Sequence, residues 1–245
     1  MLGYPDQALE QHARLVNLLA GPIDPVALSL GIGNVMATHC DFLRDYRGMR
    51  EQAQRLLALS QDNGLASYLG VGLIWLGRLM VVEANVDLGT ETIAEGRRAL
   101  EALGEVATSD VSKHCIAAAY LEARRTDEGL AILEGAIAKS AAGGVRMYEA
   151  DLHRLKGELL LAAGAPANEV EESFRKAIAI AQRQEAKGWE LRATISLARL
   201  SAKQGKRDEA RKMLADIYNW FTEGFDTADL KDAKALLDEL NAAPQ

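Results

Sequence analysis

The stretch from Glu149 to Gln184 constrains the fold most, because it reads as two helices that cannot stand alone. Leu152, Leu155, Leu159 and Ala163 fall at helical spacing, with Gly157 among them. Gly164-Ala165-Pro166-Ala167 stops that pattern, since glycine favours a helix end and proline cannot continue a helix. Asn168 is expected to cap the next helix, with Glu171 three residues later completing a capping box. Val170, Phe174, Ala177 and Ile178 supply the second apolar stripe. Neither stripe can be buried within the pair, so the unit needs copies of itself alongside.

Copies are present. Phe174 and Ala177 are matched by Leu133 and Ala136, 41 residues earlier, and by Leu214 and Ile217, 40 later. Gly64, Gly104 and Gly144 are spaced by 40, and Gly188 follows after 44. Small residues recur where the second helix begins: Ala8, Gly129 and Ala210. The pattern resembles the tetratricopeptide repeat, but its period exceeds the usual ~34 residues, so each helix is longer by roughly a turn. The expected fold is all-α: a right-handed superhelical solenoid of antiparallel helix pairs, about 12 helices in all, closed by a capping helix. Its divisions are a half repeat at 1–21, helix pairs at 22–64, 65–104, 105–144, 145–187 and 188–222, and a cap at 227–241. Leu2–Ala20 reads as a second helix lacking its first, so Met1 is expected to mark a cut from a longer frame.

Bulk properties narrow the function. A chain of 245 residues, 49% hydrophobic with five prolines, can bury a large core. Net charge is −7 with no basic run, which argues against nucleic acid, whose phosphates need clustered Lys and Arg. No apolar stretch approaches the ~18 residues of a membrane span. Cys40 and Cys115, far apart and without a signal peptide, read as reduced thiols in the cytoplasm.

Possible sites dissolve on inspection. Gly31-Ile32-Gly33 and Gly70-Val71-Gly72 lack the third glycine and preceding strand of a dinucleotide fingerprint, and read as close helix packing. His39-Cys40 has no second ligand pair, so no metal is expected. His12, His114 and His153 have no nucleophile at motif spacing, and Trp75 reads as a core aromatic. Tyr218, Trp220, Phe221 and Phe225 read as pinning a turn, with Gly224 supplying its freedom and Thr227 capping the last helix. That helix carries Leu230, Ala233, Leu237 and Leu240 on one face, as a lid requires.

Four segments carry a closer resemblance: LGYPDQAL at Leu2–Leu9, EADLHRLKGELLL at Glu149–Leu161, ELRATISLARL at Glu190–Leu200, and YNWFTEGFDTADLK at Tyr218–Lys231. They resemble the tetratricopeptide C-terminal region of large bacterial proteins of class III adenylate or guanylate cyclase type, and of predicted ATPases with a DNA-binding head. The resemblance implies that catalytic domains lie upstream of such a region. This sequence has no Gly-x-x-x-x-Gly-Lys-Ser/Thr phosphate loop and no family active-site residue to carry over, so neither enzyme activity nor a cofactor is expected.

Three readings follow: a non-catalytic protein-interaction or sensor module, the regulatory arm of a cyclase or ATPase, and a small-molecule-sensing repeat. In tetratricopeptide proteins the first helix of each pair lines the groove. Aligning on Ala117, Gly157 and Ala198 assigns Arg154, Glu158, His114, Glu122, Arg192, Arg199 and Lys203 to that surface, with Arg78 beside them. Arginine forks suit carboxylates, so the expected partner is an acidic peptide, a C-terminal carboxylate or a parent protein's own domains. The competing reading gives these arginines to surface ion pairs with Glu158 and Glu190.

Overall fold

The computed structural model describes residues 2–38, 43–103, 110–141 and 146–242. Among them are twelve helices and no strand: α1 (Pro5–Leu18), α2 (Pro25–Thr38), α3 (Tyr46–Asp62), α4 (Ala66–Val82), α5 (Val86–Ala102), α6 (Asp110–Glu122), α7 (Thr126–Ala141), α8 (Glu149–Ala162), α9 (Ala167–Arg183), α10 (Lys187–Lys203), α11 (Arg207–Tyr218) and α12 (Ala228–Asn241). His39, Cys40, Gly104, Ser109, Gly143 and Gly144, which the sequence singled out, lie outside the described residues.

Two compact units form, Leu9–Ala136 and Met1–Ala8 with Ile137–Gln245. In the first, α2, α4 and α6 lie side by side, with α3 and α5 packed across them. Ile32, Met36, Met49, Leu56, Ile74, Trp75, Leu79, Ile93, Leu100 and Ile116 form its core. Trp75 is a buried core aromatic, as its surroundings in the sequence predict. In the second unit α8, α10 and α12 form one layer, and α9 and α11 pack behind it. Leu191, Ile195, Leu214, Ile217, Phe221, Leu230, Ala233, Leu236, Leu237 and Leu240 close the core beneath α12. The matched positions Leu133, Ala136, Phe174, Ala177, Leu214 and Ile217 are all buried.

The repeat is also written in the backbone. Residues with positive φ stand at Ala84 (67°), Arg124 (56°), Gly164 (76°) and Gly205 (81°), 40, 40 and 41 residues apart. Each ends the first helix of a pair in the same way: its amide bonds back three residues and the next amide bonds back five. Examples are Arg124 to Leu121 at 3.1 Å with Arg125 to Tyr120 at 2.9 Å, and Gly205 to Ala202 at 3.0 Å with Lys206 to Ser201 at 2.9 Å. The return turn between pairs uses Gly64 (64°) and Glu185 (53°). The expected beat therefore closes on Glu185 rather than Gly188, which lies inside α10. Ala84 and Arg124 hold a conformation that strains a Cβ. Replacing both with glycine is expected to raise stability by roughly 1 kcal/mol, relief of strain outweighing the added freedom of the unfolded chain. Thermal melts would register this as a rise in midpoint, and a fall would contradict it.

Helix ends differ in detail from expectation. Asn168 sits inside the first turn of α9, because Pro166 takes the N-cap position and supplies no side-chain cap. Glu171, freed from a capping box, pairs with Arg175 at 2.8 Å. Thr227 does occupy the N-cap of α12, but its hydroxyl donates to the Gly224 carbonyl at 2.6 Å instead of capping the helix. At the far end of α12, Arg207 donates to the carbonyls of Leu240 at 3.0 Å, Ala242 at 2.7 Å, and Glu239. These are carbonyls that a helix terminus leaves without partners.

Candidate functional site

The layer α8–α10–α12 carries charge where a scaffold needs none. Asp151, Arg154 and Glu158 share one face of α8, spaced by three and four residues. Arg154 grips Asp151 with two hydrogen bonds, the second from Nη2 to Oδ2 at 3.1 Å, and its Nη1 lies 3.9 Å from Glu158 Oε1. The Asp151 side chain is 0% exposed and that of Arg154 17%. Burial alone would pull the Arg154 pKa down. The Asp151 carboxylate, by charge and hydrogen bond, with Glu158 and Asp229 adding, holds it above the ordinary arginine value.

Two further bonds stitch neighbouring helices together. Ser196 Oγ of α10 donates to Glu158 Oε1 of α8 at 2.6 Å. Arg192 Nε of α10 donates to Asp229 Oδ2 of α12 at 2.7 Å, and its guanidinium lies 5.0 Å from the centre of the Trp189 ring. The Trp189 indole donates to the Met147 carbonyl at 3.0 Å. Three carboxylates thus surround two guanidiniums. Each arginine already has a carboxylate partner within the layer. Beside them on α8, His153 is pushed down to about 4 by burial, with Lys176 and Lys156 adding, so it is neutral at pH 7.

The remaining residues assigned from sequence are placed differently. Arg199 and Lys203, one and two turns beyond Ser196, are exposed. In the Leu9–Ala136 unit, Arg78 of α4 lies 3.6 Å from Glu122 of α6, and His114 is buried. The structure therefore gathers Arg154, Glu158 and Arg192 in one unit and Arg78 with Glu122 in the other. Among the described residues no three His, Cys, Asp or Glu side chains gather as metal ligands. No described helix is long and apolar enough to cross a membrane.

No family model matches the chain, and no curated protein matches it. Solved structures do. A Pyrococcus horikoshii signal-transduction ATPase with numerous domains and a tetratricopeptide repeat sensor superposes with a TM-score of 0.62 at 13% identity, over 86% of this chain and 31% of that one. The nearly identical TPR-like repeats of a Podosopora anserina protein, provisionally assigned as a kinesin light chain, superpose with a TM-score of 0.55 at 16% identity, over 80% of this chain and 95% of that one. The fold is a tetratricopeptide-like repeat.

In tetratricopeptide-like terms α4, α6, α8 and α10 are first helices, in register at Gly77, Ala117, Gly157 and Ala198, with steps of 40, 40 and 41 residues. A Cβ on Gly157 would lie 2.4 Å from the Phe174 ring, so a small residue at that position lets the paired helix close in. Three members of the polar layer escaped the sequence reading. Asp151 was readable as a partner for Arg154 three residues on. Ser196 and Asp229 were not, since they meet Glu158 and Arg192 across 38 and 37 residues.

Proposed function

We propose that this chain is a non-catalytic, cytoplasmic interaction or sensor module whose α8–α10–α12 layer receives a protein or peptide partner. The buried polar layer carries the reading. Burying an ion pair contributes little to stability compared with well-packed apolar side chains. Charge held at 0% and 17% exposure, as in Asp151 and Arg154, therefore calls for a role in specificity. The layer presents fixed groups, while exposed Arg199 and Lys203 offer positive charge to an acidic segment or C-terminal carboxylate. In the Leu9–Ala136 unit, taken by itself, Arg78, His114 and Glu122 stand on first helices and are proposed as its partner-facing positions.

A second reading takes the chain as the regulatory part of a larger signalling ATPase or cyclase. It is supported by the likeness to an ATPase that carries a tetratricopeptide repeat sensor, and by this chain's spanning 31% of that protein. The segment resemblances point the same way. On both readings the chain binds rather than turns over. A panel of peptides with acidic C-termini, measured against the full chain by fluorescence polarisation, tests the binding surface. Changing Arg199 and Lys203 together to alanine is expected to weaken the best binder about tenfold or more with the melting temperature nearly unchanged. Unchanged affinity would reject the assignment.

A further inference from the structure

The aromatic turn after α11 holds a segment from the opposite end of the sequence. Gly3 is buried with φ of 98°, and a Cβ there would lie 2.4 Å from the Trp220 ring and 2.7 Å from Lys187 Cβ. The Tyr4 and Trp220 rings stand 5.7 Å apart, and Lys187 Nζ lies 5.6 Å from the Trp220 ring centre. Pro5 presses on Gly224, where a Cβ would lie 2.4 Å from Pro5 Cβ. Glycine on each side thus permits an approach that a methyl group would block.

The polar contacts are reciprocal. Glu223 Oε1 accepts from the amides of Asp6 and Gln7 at 3.1 and 3.3 Å, and Oε2 accepts from Gln7 Nε2 at 3.4 Å. The Gly224 amide donates in return to Asp6 Oδ2 at 3.3 Å. The first amides of a helix have no partner within it, and a carboxylate beside them also complements the helix dipole. Glu223 therefore does from 216 residues away what an N-cap side chain does locally.

We propose that the turn Trp220–Gly224 is a docking site for a short Gly-aromatic-Pro-acid segment at the head of a helix, and that the chain's own Gly3–Gln7 is its reversible occupant. Covalent tethering, through effective concentration, keeps the site filled. Docking sets Tyr4 beside Trp220 and Gly3 against Lys187, two residues that edge a cleft of about 500 Å³ with Ile178, Leu197, Met213 and Ile217 on its wall. Undocking removes those contacts from the edge. The segment acts as a strap against it, independently of the polar layer on α8, α10 and α12.

Amide hydrogen exchange on the full chain tests the strap. In the unaltered protein the Asp6, Gln7 and Gly224 amides are expected to be protected. Gly3→Ala, which leaves the receiving turn intact, should speed exchange at Asp6 and Gln7 by about tenfold or more, with protection of Ile195, Leu214 and Leu237 retained. Glu223→Ala should do the same. A synthetic peptide of residues 2–11, added at millimolar concentration, should also release the chain's own segment, and its Gly→Ala counterpart should not. Unprotected Asp6 and Gln7 amides, or no response to Gly3→Ala, would overturn the proposal. Protection that grows with protein concentration would assign the occupant to a second copy and overturn the strap.

Discussion

Gly77→Ala is expected to destabilise the Leu9–Ala136 unit by about 2 kcal/mol or more and to lower its melting temperature on the order of 10 °C. A Cβ at Gly77 would lie 2.6 Å from the Gly89 carbonyl oxygen and 2.9 Å from the Ile93 amide nitrogen. Gly89 faces the same obstacle in return, with the Gly77 oxygen 2.6 Å away. Seven residues along each helix a second pair repeats the arrangement, a Cβ at Gly96 lying 2.6 Å from the Gly70 oxygen. These neighbours are backbone atoms and cannot rotate aside, so α4 and α5 must separate. Alanine's better helix propensity returns only about 1 kcal/mol against an overpacking cost of about 3 kcal/mol. Gly33→Ala is the control: it lies inside α2 with nothing within 4 Å of the added methyl, and should hold or raise the melting temperature. Calorimetry showing equal effects from the two changes would sink the argument.

Asp151→Ala should cost about 3 kcal/mol, because it strands the Arg154 guanidinium in a site with 17% exposure. Glu158 keeps the loss at the low end of the usual range, since its Oε1 lies 3.9 Å from Arg154 and can take over part of the charge. Pairing Asp151→Ala with Arg154→Met removes both charges and leaves a packed apolar chain, so the double variant should recover much of the stability. Chemical denaturation of the two single variants and the double closes the cycle. Strict additivity would show that the pair is not coupled.

The helices were legible because Ala, Leu and Ile recur at helical spacing. The register of the turns was legible only where glycine marks it. Ala84, Arg124 and Glu185 adopt the same left-handed geometry, and their side chains give no sign of it. The glycine pairs of α4 and α5 were half visible: Gly70 was read as a packing residue, whereas Gly77, Gly89 and Gly96 acquire meaning only once the two helices lie antiparallel. The candidate surface followed the same rule. Arg154 with Glu158 is a local pair on one helix and could be found by spacing. The Arg192–Asp229 bond joins two helices whose relative position no local pattern fixes, and it gives Arg192 a carboxylate other than the Glu158 and Glu190 that the sequence offered.

The clamp that Arg207 places on the last carbonyls of α12 has a mechanical consequence. Pulling on the C-terminal end would ordinarily peel a terminal helix turn by turn from its frayed tip, each step breaking little. Here the tip is tied to α11 through Leu240, Ala242 and Glu239, so the load passes sideways into a neighbouring helix before α12 unwinds. The two helices would yield together, and a tether attached at this end would hold up to a threshold and then release abruptly rather than give way gradually.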